Sequence, residues 1–247
     1  MSGERLAGRV AVVTGASSGI GAAVCRALAR AGARLALAAR REEALCSVRD
    51  ELNGVDSVAV PTDVTDRRQV EALVRRAEDE LGPVDALVNC AGVMYYTLMQ
   101  NLRMGEWERT VDVNCKGVLN CVGAVLGGMV ERGRGHIVTI SSDAGRKVFP
   151  GLAVYSASKF FVEGLSQGLR LETAGTGVKV TTIQPGNVAT GLLAMSTDGE
   201  ALDRYGRPSG ARVLDPEDVA ASVVHALTQP EHVAVNEILV EPRDEPV

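Results

Sequence analysis

The chain of 247 residues is 46% hydrophobic and 23% charged, and its formal net charge is −5. This composition is typical of a globular protein with a large core, and α/β folds of this length commonly form one domain. The acidic balance argues against nucleic acid or an anionic membrane as a partner. We therefore expect a single domain over residues 1–247 that acts on a small molecule.

The cysteines and the N-terminus bear on cellular location. No C-x-x-C spacing occurs and each cysteine has apolar neighbours, so buried thiols are expected and no metal site is predicted. The opening MSGERLAGR lacks the apolar core of a signal peptide. No apolar run reaches the roughly 18 residues of a membrane span, so we expect a cytoplasmic protein. The five cysteines are Cys25, Cys46, Cys90, Cys115 and Cys121.

Seven short apolar runs predict β-strands, and the amphipathic segments between them predict helices. One helix begins with a cap-like pair of Asp66 and Gln69, and another, Asp218–Leu227, follows Pro216. Seven strands alternating with six helices predict an α/β fold, a doubly wound parallel sheet of Rossmann type with helices on both faces. The predicted strands are Val10–Thr14, Arg34–Ala39, Ser57–Pro61, Ala86–Asn89, His136–Ser141, Lys179–Gln184 and Asn236–Val240.

One segment, residues 187–212, interrupts this alternation. It carries several glycines and Pro208 without a clear period, and it follows the C-terminal end of a predicted strand. Ligands bind at that end of such sheets, and a long loop inside a compact domain is usually functional. We therefore predict a substrate lid over residues 187–212, with a surface loop as the alternative.

The stretch TGASSGIG closes the first predicted strand and permits two interpretations. Its letters GASSG match the G-x-S-x-G turn of serine hydrolases, with Ser17 as the nucleophile. The candidate histidines, His225 and His232, do not lie on an obvious catalytic loop, so this interpretation is disfavoured. The alternative is a tight turn whose backbone N–H groups and helix dipole bind a dinucleotide diphosphate. That turn uses Gly15, Gly19 and Gly21.

The end of the second predicted strand bears on which dinucleotide binds. NAD sites usually place a carboxylate there for the ribose 2′-hydroxyl. Here Ala39 is followed by Arg40 and Arg41. A guanidinium can bind a phosphate bidentately, so NADP(H) is predicted, with Ser17 or Ser18 as an added hydroxyl donor. The alternative is a pair of solvated arginines.

Further along, YSASK places Lys159 one helical turn after Tyr155. A nearby ammonium stabilises a phenolate, so we expect the pKa of Tyr155 to lie below its usual value near 10. A tyrosine tuned in this way can act as a general acid or base. Ser142 ends an apolar strand thirteen residues upstream of Tyr155.

At this point the sequence resembles the short-chain dehydrogenase/reductase family over nearly its whole length. The resemblance rests on seven motifs that occur in family order. Within the family, the C-terminus HVAVNEILVEPRDEP is similar to the branch of NADP-dependent 3-hydroxy acid dehydrogenases and carbonyl reductases. The motifs are TGASSGIG, Asp63-Val64, NCAG at 89–92, Asn114 in VNCKG, Ser142, YSASK, and PGNVAT from Pro185.

The resemblance implies a role for each of four catalytic residues. Tyr155 would be the general acid in carbonyl reduction, or the base in alcohol oxidation. Ser142 would hydrogen-bond the substrate oxygen. Lys159 would bind the nicotinamide ribose and hold the pKa of Tyr155 down. Asn114 would kink its helix and position a water that relays protons to Lys159.

The resemblance also implies the contacts to the cofactor. Asp63 and Val64 would contact the adenine, and the loop after the fourth strand would form the floor of the cofactor-binding site. The PGNVAT segment would fix the nicotinamide amide. With Tyr155 and Lys159, the cofactor residues would be Gly15, Ser17, Ser18, Gly19, Ile20, Gly21, Arg40, Arg41, Asp63, Val64, Asn89, Ala91, Gly92, Pro185, Gly186, Val188 and Thr190.

The substrate pocket is implied by the same analogy, and its apolar positions favour a moderately hydrophobic ketone or aldehyde. Four basic residues are candidates to bind a carboxylate: Arg146, Lys147, Arg207 and Arg212. Beside Ser142 and Tyr155, the pocket positions would be Val93, Met94, Tyr95, Tyr96, Asp143, Ala144, Phe149, Leu192, Leu193 and Met195.

These observations predict an NADPH-dependent carbonyl reductase. The alternatives are an NADP-dependent dehydrogenase of 3-hydroxy acids and an alcohol dehydrogenase of hydroxysteroid or retinol type. A non-catalytic dinucleotide sensor would lose Tyr155 or Lys159, and both are present. Family members are usually homodimers or homotetramers, paired through the helices that carry Asn114 and Tyr155, so such an assembly is expected.

Overall fold

The computed structural model describes residues 6–206 and 210–245. Seven parallel strands form one sheet in the order β3-β2-β1-β4-β5-β6-β7. The predicted doubly wound parallel sheet is confirmed, and each strand boundary agrees with its prediction to within two residues. The strands are β1 Val10–Thr14, β2 Arg34–Ala39, β3 Ser57–Pro61, β4 Val84–Asn89, β5 Gly135–Ile140, β6 Val178–Pro185 and β7 Glu237–Val240.

The prediction of six helices is wrong, because the described residues form eight α-helices. The crossover between β4 and β5 contains two of them, and the connection from β6 to β7 contains another two. The helices are α1 Gly19–Arg30, α2 Glu42–Asp50, α3 Arg67–Leu81, α4 Met104–Val111, α5 Gly117–Glu131, α6 Ala153–Glu172, α7 Gly199–Tyr205 and α8 Pro216–Leu227.

Helices cover both faces of the sheet, which explains why the central strands do not alternate between apolar and polar residues. Every residue of β1 and β4 is buried, as expected for parallel strands packed on two sides. The core beneath α1, α2 and α8 includes Leu28 and Leu45. The core beneath α3, α5 and α6 includes Leu73 and Met129. Asp66 caps α3 by accepting hydrogen bonds from the N–H groups of Arg68 and Gln69.

A single turn of π-helix, Asp112–Lys116, joins α4 to α5, so the chain is helical from Met104 to Glu131. Within the described residues, this helix of 28 residues is the one long and apolar enough to span a membrane by length and composition. This helix is not an uninterrupted apolar run, because it contains Asp112, Asn114 and Lys116. Half of its most apolar window is buried inside the protein, and packing against β4, β5 and α3 accounts for that composition.

The segment after β6 is more ordered than its sequence suggests. It contains the short 3₁₀ turn Leu193–Met195 and the helix α7, and a parallel bridge joins Val188 to Leu214. The side chain of Asp198 is buried and caps α7 by accepting a hydrogen bond from the N–H of Ala201. Local capping therefore produced a helix that hydrophobic periodicity did not reveal.

The two halves of the sheet meet between β1 and β4, where the strand order reverses. The hydroxyl oxygen of Thr14, at the end of β1, accepts hydrogen bonds from the N–H groups of Cys90 and Ala91, each at 3.2 Å. Ligands of open α/β sheets bind in the crevice beyond the strand ends at this point. The fold therefore places the glycine turn and the loop after β4 side by side.

Replacement of Leu28 by alanine tests the packing of this fold. Leu28 is fully buried on α1, so Leu28→Ala should lower the free energy of unfolding by about 2–5 kcal/mol. The matched control is Leu171→Ala, because Leu171 is 81% exposed, and its effect should stay within about 0.5 kcal/mol. Urea unfolding followed by circular dichroism measures both. Equal losses in the two variants would contradict the described packing of α1.

Candidate active site

The glycine turn after β1 has no room for side chains. Gly15 lies at φ +66°, and a Cβ atom there would lie 2.8 Å from the backbone nitrogen of Ala91. A Cβ atom on Gly21 would lie 2.2 Å from the carbonyl oxygen of Gly15. Any side chain at either position would force the turn apart. The turn, the loop after β4 and the start of α1 are therefore held in close contact by these glycines.

The N-terminus of α1 is open toward a ligand. Its cap residue, Ser18, makes no side-chain capping hydrogen bond. Unpaired backbone N–H groups and the positive end of the helix dipole suit this terminus to a diphosphate. Ser17 is half-buried beside it, and Ile20 packs on the core beneath. The methyl group of Thr190 lies near Gly19, so the segment after β6 passes close to this turn.

Two arginines follow the end of β2. Ala39 is buried, whereas Arg40 and Arg41 are exposed. Neither arginine takes part in an ion pair or side-chain hydrogen bond in the described part of the chain. Asp63 follows the adjacent strand β3, and the positive charge of Arg40 acts on it. The guanidinium groups are therefore available to a phosphate at the strand ends.

Asp63 and Val64 form the loop after β3. Burial acts to raise the pKa of Asp63, but hydrogen bonds from the backbone and hydroxyl of Thr65, with the charge of Arg109, hold it below its ordinary value. Val64 is buried against α5, where a Cβ atom on Gly117 would lie 2.7 Å from its methyl carbon. Asp63 is therefore a fixed carboxylate beside the cofactor crevice.

The loop after β4 forms the floor of the crevice. The amide nitrogen of Asn89 donates to the hydroxyl of Thr139 at 3.2 Å, while its buried Oδ1 has no partner among the described residues. An unpartnered buried oxygen in this position is suited to accept a hydrogen bond from a ligand. Ala91 and Gly92 follow it at the same strand end.

Asn114 fastens this loop from the π-helical turn. Its Nδ2 donates to the carbonyl of Val93 at 2.9 Å and to the hydroxyl of Ser158 at 3.0 Å, and its Oδ1 accepts from the N–H of Val93 at 2.9 Å. Both amide protons are thus engaged within the protein. The water relay expected for Asn114 stays a prediction, and Ser158 is a partner that sequence reasoning missed.

The structure brings Ser142, Tyr155 and Lys159 together beyond the end of β5. Ser142 follows the strand, and Tyr155 and Lys159 lie one turn apart on the buried face of α6. The ammonium nitrogen of Lys159 lies 5.6 Å from the centroid of the Tyr155 ring and donates a hydrogen bond to the carbonyl of Ile140 at 2.9 Å. All three side chains are buried.

The expected lowering of the pKa of Tyr155 is wrong for this arrangement. Burial raises the pKa of Tyr155 to about 12, in spite of a hydrogen bond with Ser142 that lowers it, because the charge of Asp143 adds to the increase. Burial also lowers the pKa of Lys159 to about 8, although the carboxylate of Glu163 opposes this change. Desolvation is the largest cause of both pKa shifts, since removing a charge from water is costly.

Glu163 is a second residue that sequence reasoning missed. It is buried one turn after Lys159, and its Oε2 accepts a hydrogen bond from the hydroxyl of Thr182 at 3.1 Å. Its Oε1 has no partner among the described residues. The four-residue spacing from Lys159 was a signal that could have identified it, because such pairs share a helix face.

The pocket residues after β4 divide between two sides of an extended segment. Met94 and Tyr96 pack with Tyr155, whereas Val93 and Tyr95 pack into the core beneath α3, α5 and α6. Successive residues of extended chain point to opposite sides. Met94 and Tyr96 therefore lie beside Tyr155, whereas Val93 and Tyr95 lie against the core, and the assignment of all four to the substrate pocket stays a prediction.

The remaining pocket positions come from two segments. Ala144 and Phe149 pack around Tyr155, and Asp143 lies between them and Ser142. The segment after β6 is tied to the site because the hydroxyl of Ser196 accepts a hydrogen bond from the N–H of Tyr96 at 2.9 Å. That segment carries one half-buried and two exposed apolar side chains, those of Leu192, Leu193 and Met195.

The tie between the two segments is reinforced by Asp198, which sequence reasoning also missed. Its carboxylate accepts hydrogen bonds from the N–H of Leu98 at 2.9 Å and from the amide of Asn101 at 3.0 Å. The Asp-x-x-Ala spacing to Ala201, typical of a helix N-cap, was the signal that could have found it. Asp198 therefore holds the start of α7 against the pocket loop.

Two of the four basic candidates for a carboxylate site are engaged in ion pairs, whereas Lys147 lies over the ring of Phe149 and forms no ion pair in the described part of the chain. Arg146 donates a hydrogen bond to Gln184 and forms an ion pair with Glu237, and Arg212 forms one with Asp215. Arg207, like Pro208 of the predicted lid, lies outside the described residues. Over residues 6–206 and 210–245, no group of three or more His, Cys, Asp or Glu side chains is placed to hold a metal ion.

Comparison with known proteins identifies relatives along almost the whole chain. Glycine betaine reductase ATRR of Emericella nidulans is 68% identical over 244 residues, which cover 98% of this chain. The chain spans only 19% of the length of that relative. A closed form of serine dehydrogenase complexed with NADP⁺ superposes with a TM-score of 0.89 at 34% identity, over 96% of each chain.

A second solved structure, an actinorhodin polyketide ketoreductase variant with NADPH, superposes with a TM-score of 0.85 at 35% identity. The match covers 97% of this chain and 98% of that one. The family model described as short chain dehydrogenase matches residues 9–201. That range includes the glycine turn, Ser142, Tyr155 and Lys159, so this chain belongs to the short-chain dehydrogenase/reductase family of oxidoreductases.

Proposed function

We propose that this oxidoreductase reduces a ketone or aldehyde to an alcohol, with Tyr155 as the general acid. The observation that carries the proposal is the meeting of Ser142, Tyr155 and Lys159 at the same edge of the parallel sheet as the N-terminus of α1. That edge offers a phenol, a hydroxyl and an ammonium together with a turn suited to a diphosphate. The reaction is reversible, and alcohol oxidation would use the same groups in reverse.

The cofactor is NADP(H), and the residues present fit it. The diphosphate fits the glycine turn, where side chains are sterically excluded, and the 2′-phosphate fits Arg40 and Arg41, which have no other partner in the described part of the chain. Asn89 offers an unpartnered buried oxygen on the floor. When bound, NADPH supplies the hydride. The PGNVAT segment, from Pro185 through Gly186 and Val188 to Thr190, would border the nicotinamide end.

The protein's own groups supply the proton and orient the substrate. Because the pKa of Tyr155 is about 12, its phenol is protonated at neutral pH, which is the form that a general acid needs. Ser142 donates its hydroxyl proton to Asp143 in this structure, and rotation of that hydroxyl would direct it to the substrate oxygen. Lys159 adds positive charge where the oxygen gains electron density.

Several features of the site bear on the substrate class. The ion pairs of Arg146 and Arg212 count against oxidation of 3-hydroxy acids, although Lys147 is left to bind a substrate carboxylate. A hydroxysteroid or retinol-type alcohol remains a further candidate. The relative from Emericella nidulans is named for glycine betaine, which bears a quaternary ammonium group. That name adds small cationic compounds to the candidate substrates.

Assembly, location and domain organisation complete the proposal. Exposed apolar side chains on α5 and α6, such as Leu119, Phe160 and Phe161, support pairing of these helices in a homodimer or homotetramer. We place the enzyme in the cytoplasm as a single domain. The segment at 187–212 would serve as the substrate lid, anchored through Ser196 and Asp198.

Tyr155→Phe tests the proposed acid. With NADPH and a panel of ketones and aldehydes, the variant should lose about 10³-fold in kcat/KM, since the phenol proton is absent, while fluorescence titration should show NADPH binding retained. Tyr95→Phe is the matched control, because Tyr95 packs into the core away from Tyr155, and its rate should stay close to wild type. Full activity in Tyr155→Phe would refute the mechanism.

The combination Ala39→Asp with Arg40→Ala tests the cofactor assignment. A carboxylate would repel the 2′-phosphate and accept a hydrogen bond from a ribose hydroxyl, so the ratio of kcat/KM for NADPH to that for NADH should fall about 100-fold. Arg30→Ala, an exposed arginine on α1, is the control and should leave the ratio unchanged. An unaltered ratio in the double variant would contradict the role of Arg40.

Glu163→Gln tests the charge of Lys159. Reduction should hold a plateau below about pH 8 and decline above it, as Lys159 loses its proton. Because the Glu163 carboxylate raises the pKa of Lys159, its removal should move this decline to lower pH. The exposed Glu172→Gln on the same helix is the control. The pH dependence of kcat/KM measures both, and identical profiles would exclude this influence of Glu163.

A further inference from the structure

The carboxylate of Asp143 lies directly beside the reacting groups. Its Oδ1 accepts a hydrogen bond from the hydroxyl of Ser142 at 2.7 Å and another from the N–H of Ala144 at 2.7 Å. Its Oδ2 has no hydrogen bond in the described part of the chain, and the side chain is only half-buried. One carboxylate oxygen is therefore fixed and the other is available to a ligand.

Charged groups of both signs lie around Asp143. Burial raises the pKa of Asp143, and the charge of Glu241 raises it further, whereas Lys147 lowers it. The ammonium of Lys147 lies 5.0 Å from the centroid of the Phe149 ring. The negative charge of Asp143 also acts on Tyr155 and Tyr96. The unpaired oxygen of Asp143 attracts a cationic substrate group and repels an anionic one, while the ammonium groups of Lys147 and Lys159 act in the opposite sense.

Two tyrosines lie close enough to this carboxylate for its charge to act on them, Tyr96 and Tyr155. Tyr96 and Phe149 pack with Tyr155 in one apolar cluster. Above it, Tyr205 of α7 and Tyr96 both approach Gly151, with ring carbons 3.0 and 3.2 Å from the place a Cβ atom would take. Aromatic faces combined with a carboxylate form the arrangement that binds quaternary ammonium groups, whose charge is spread over methyl groups without N–H donors.

We propose that Asp143 and the aromatic cluster of Tyr96, Phe149 and Tyr155 bind a quaternary ammonium group on the substrate. The substrate would then be a small aldehyde or ketone that carries this cation close to its carbonyl. The inference rests on the proposed carbonyl reduction and adds the substrate class to it. Asp143 acts here as a specificity-determining residue, since it pairs with the part of the substrate that does not react.

Two aldehydes of equal shape and different charge test the proposal. Betaine aldehyde carries a trimethylammonium group, and 3,3-dimethylbutanal is its neutral isostere with carbon in place of nitrogen. Wild-type enzyme with NADPH should reduce the cation at least about 10-fold more efficiently in kcat/KM, because only the cation gains from the carboxylate and the aromatic faces. Equal or reversed efficiencies would overturn the proposal.

Asp143→Asn removes the charge while an amide oxygen can still accept the hydrogen bond from Ser142. The loss in kcat/KM should be about 10- to 100-fold greater for betaine aldehyde than for the neutral isostere, mainly through KM, because only the cation loses an attractive charge. Asp203→Asn, on the exposed side of α7, is the control for general surface charge and should resemble wild type. Parallel losses for both aldehydes in Asp143→Asn would overturn the role of Asp143 in substrate binding.

A binding measurement covers the case in which Asp143→Asn does not fold. Tetramethylammonium should inhibit wild-type reduction of 3,3-dimethylbutanal in competition with the aldehyde, since both would bind at Asp143 and the aromatic cluster. Absence of inhibition at millimolar tetramethylammonium would contradict the proposed binding of a quaternary ammonium group by Asp143 and the aromatic cluster. If wild-type enzyme reduces other carbonyl compounds but prefers neutral over cationic ones, this inference fails and the proposed function stands. If no carbonyl compound is reduced, the proposed function fails too.

Discussion

The close contact between the ends of β1 and β4 is the constraint on which the rest of the site depends. Gly15 can approach Ala91 only because it lacks a side chain, and the hydroxyl of Thr14 closes the contact through two hydrogen bonds. This contact sets the floor of the cofactor crevice at the point where the strand order reverses. Asn114 then secures the same loop from the opposite side.

Burial governs the chemistry of the groups above that floor. Lys159 and Tyr155 are both removed from water, so each is displaced toward its neutral form. The phenol is thereby kept protonated for reduction, while Glu163 partly restores the positive charge of the amine. Desolvation and the buried carboxylate of Glu163 therefore help to set the pKa values at this site, in addition to the spacing of Tyr155 and Lys159 one helical turn apart.

The fold and the principal residues were predictable because they depend on local patterns. Apolar runs of strand length located every strand of the sheet to within two residues, and the motif spacing identified Ser142, Tyr155 and Lys159. The extra helices were missed, since α7 depends on a capping aspartate and the π-helical turn interrupts a continuous helix. The direction of the Tyr155 pKa shift was also missed, because desolvation depends on surrounding atoms that are distant in sequence.

By itself, the sequence determined the doubly wound sheet, the glycine turn and the family of this protein, because each follows from residue types at fixed spacing. Only the tertiary structure decided that Met94 and Tyr96 pack with Tyr155 while Val93 and Tyr95 pack into the core, since this depends on how the segment is oriented. It likewise decided that Asp143 accepts a hydrogen bond from the hydroxyl of Ser142, close to the aromatic cluster around Tyr155. The physical reason is that burial and contact across the fold arise from packing between distant segments.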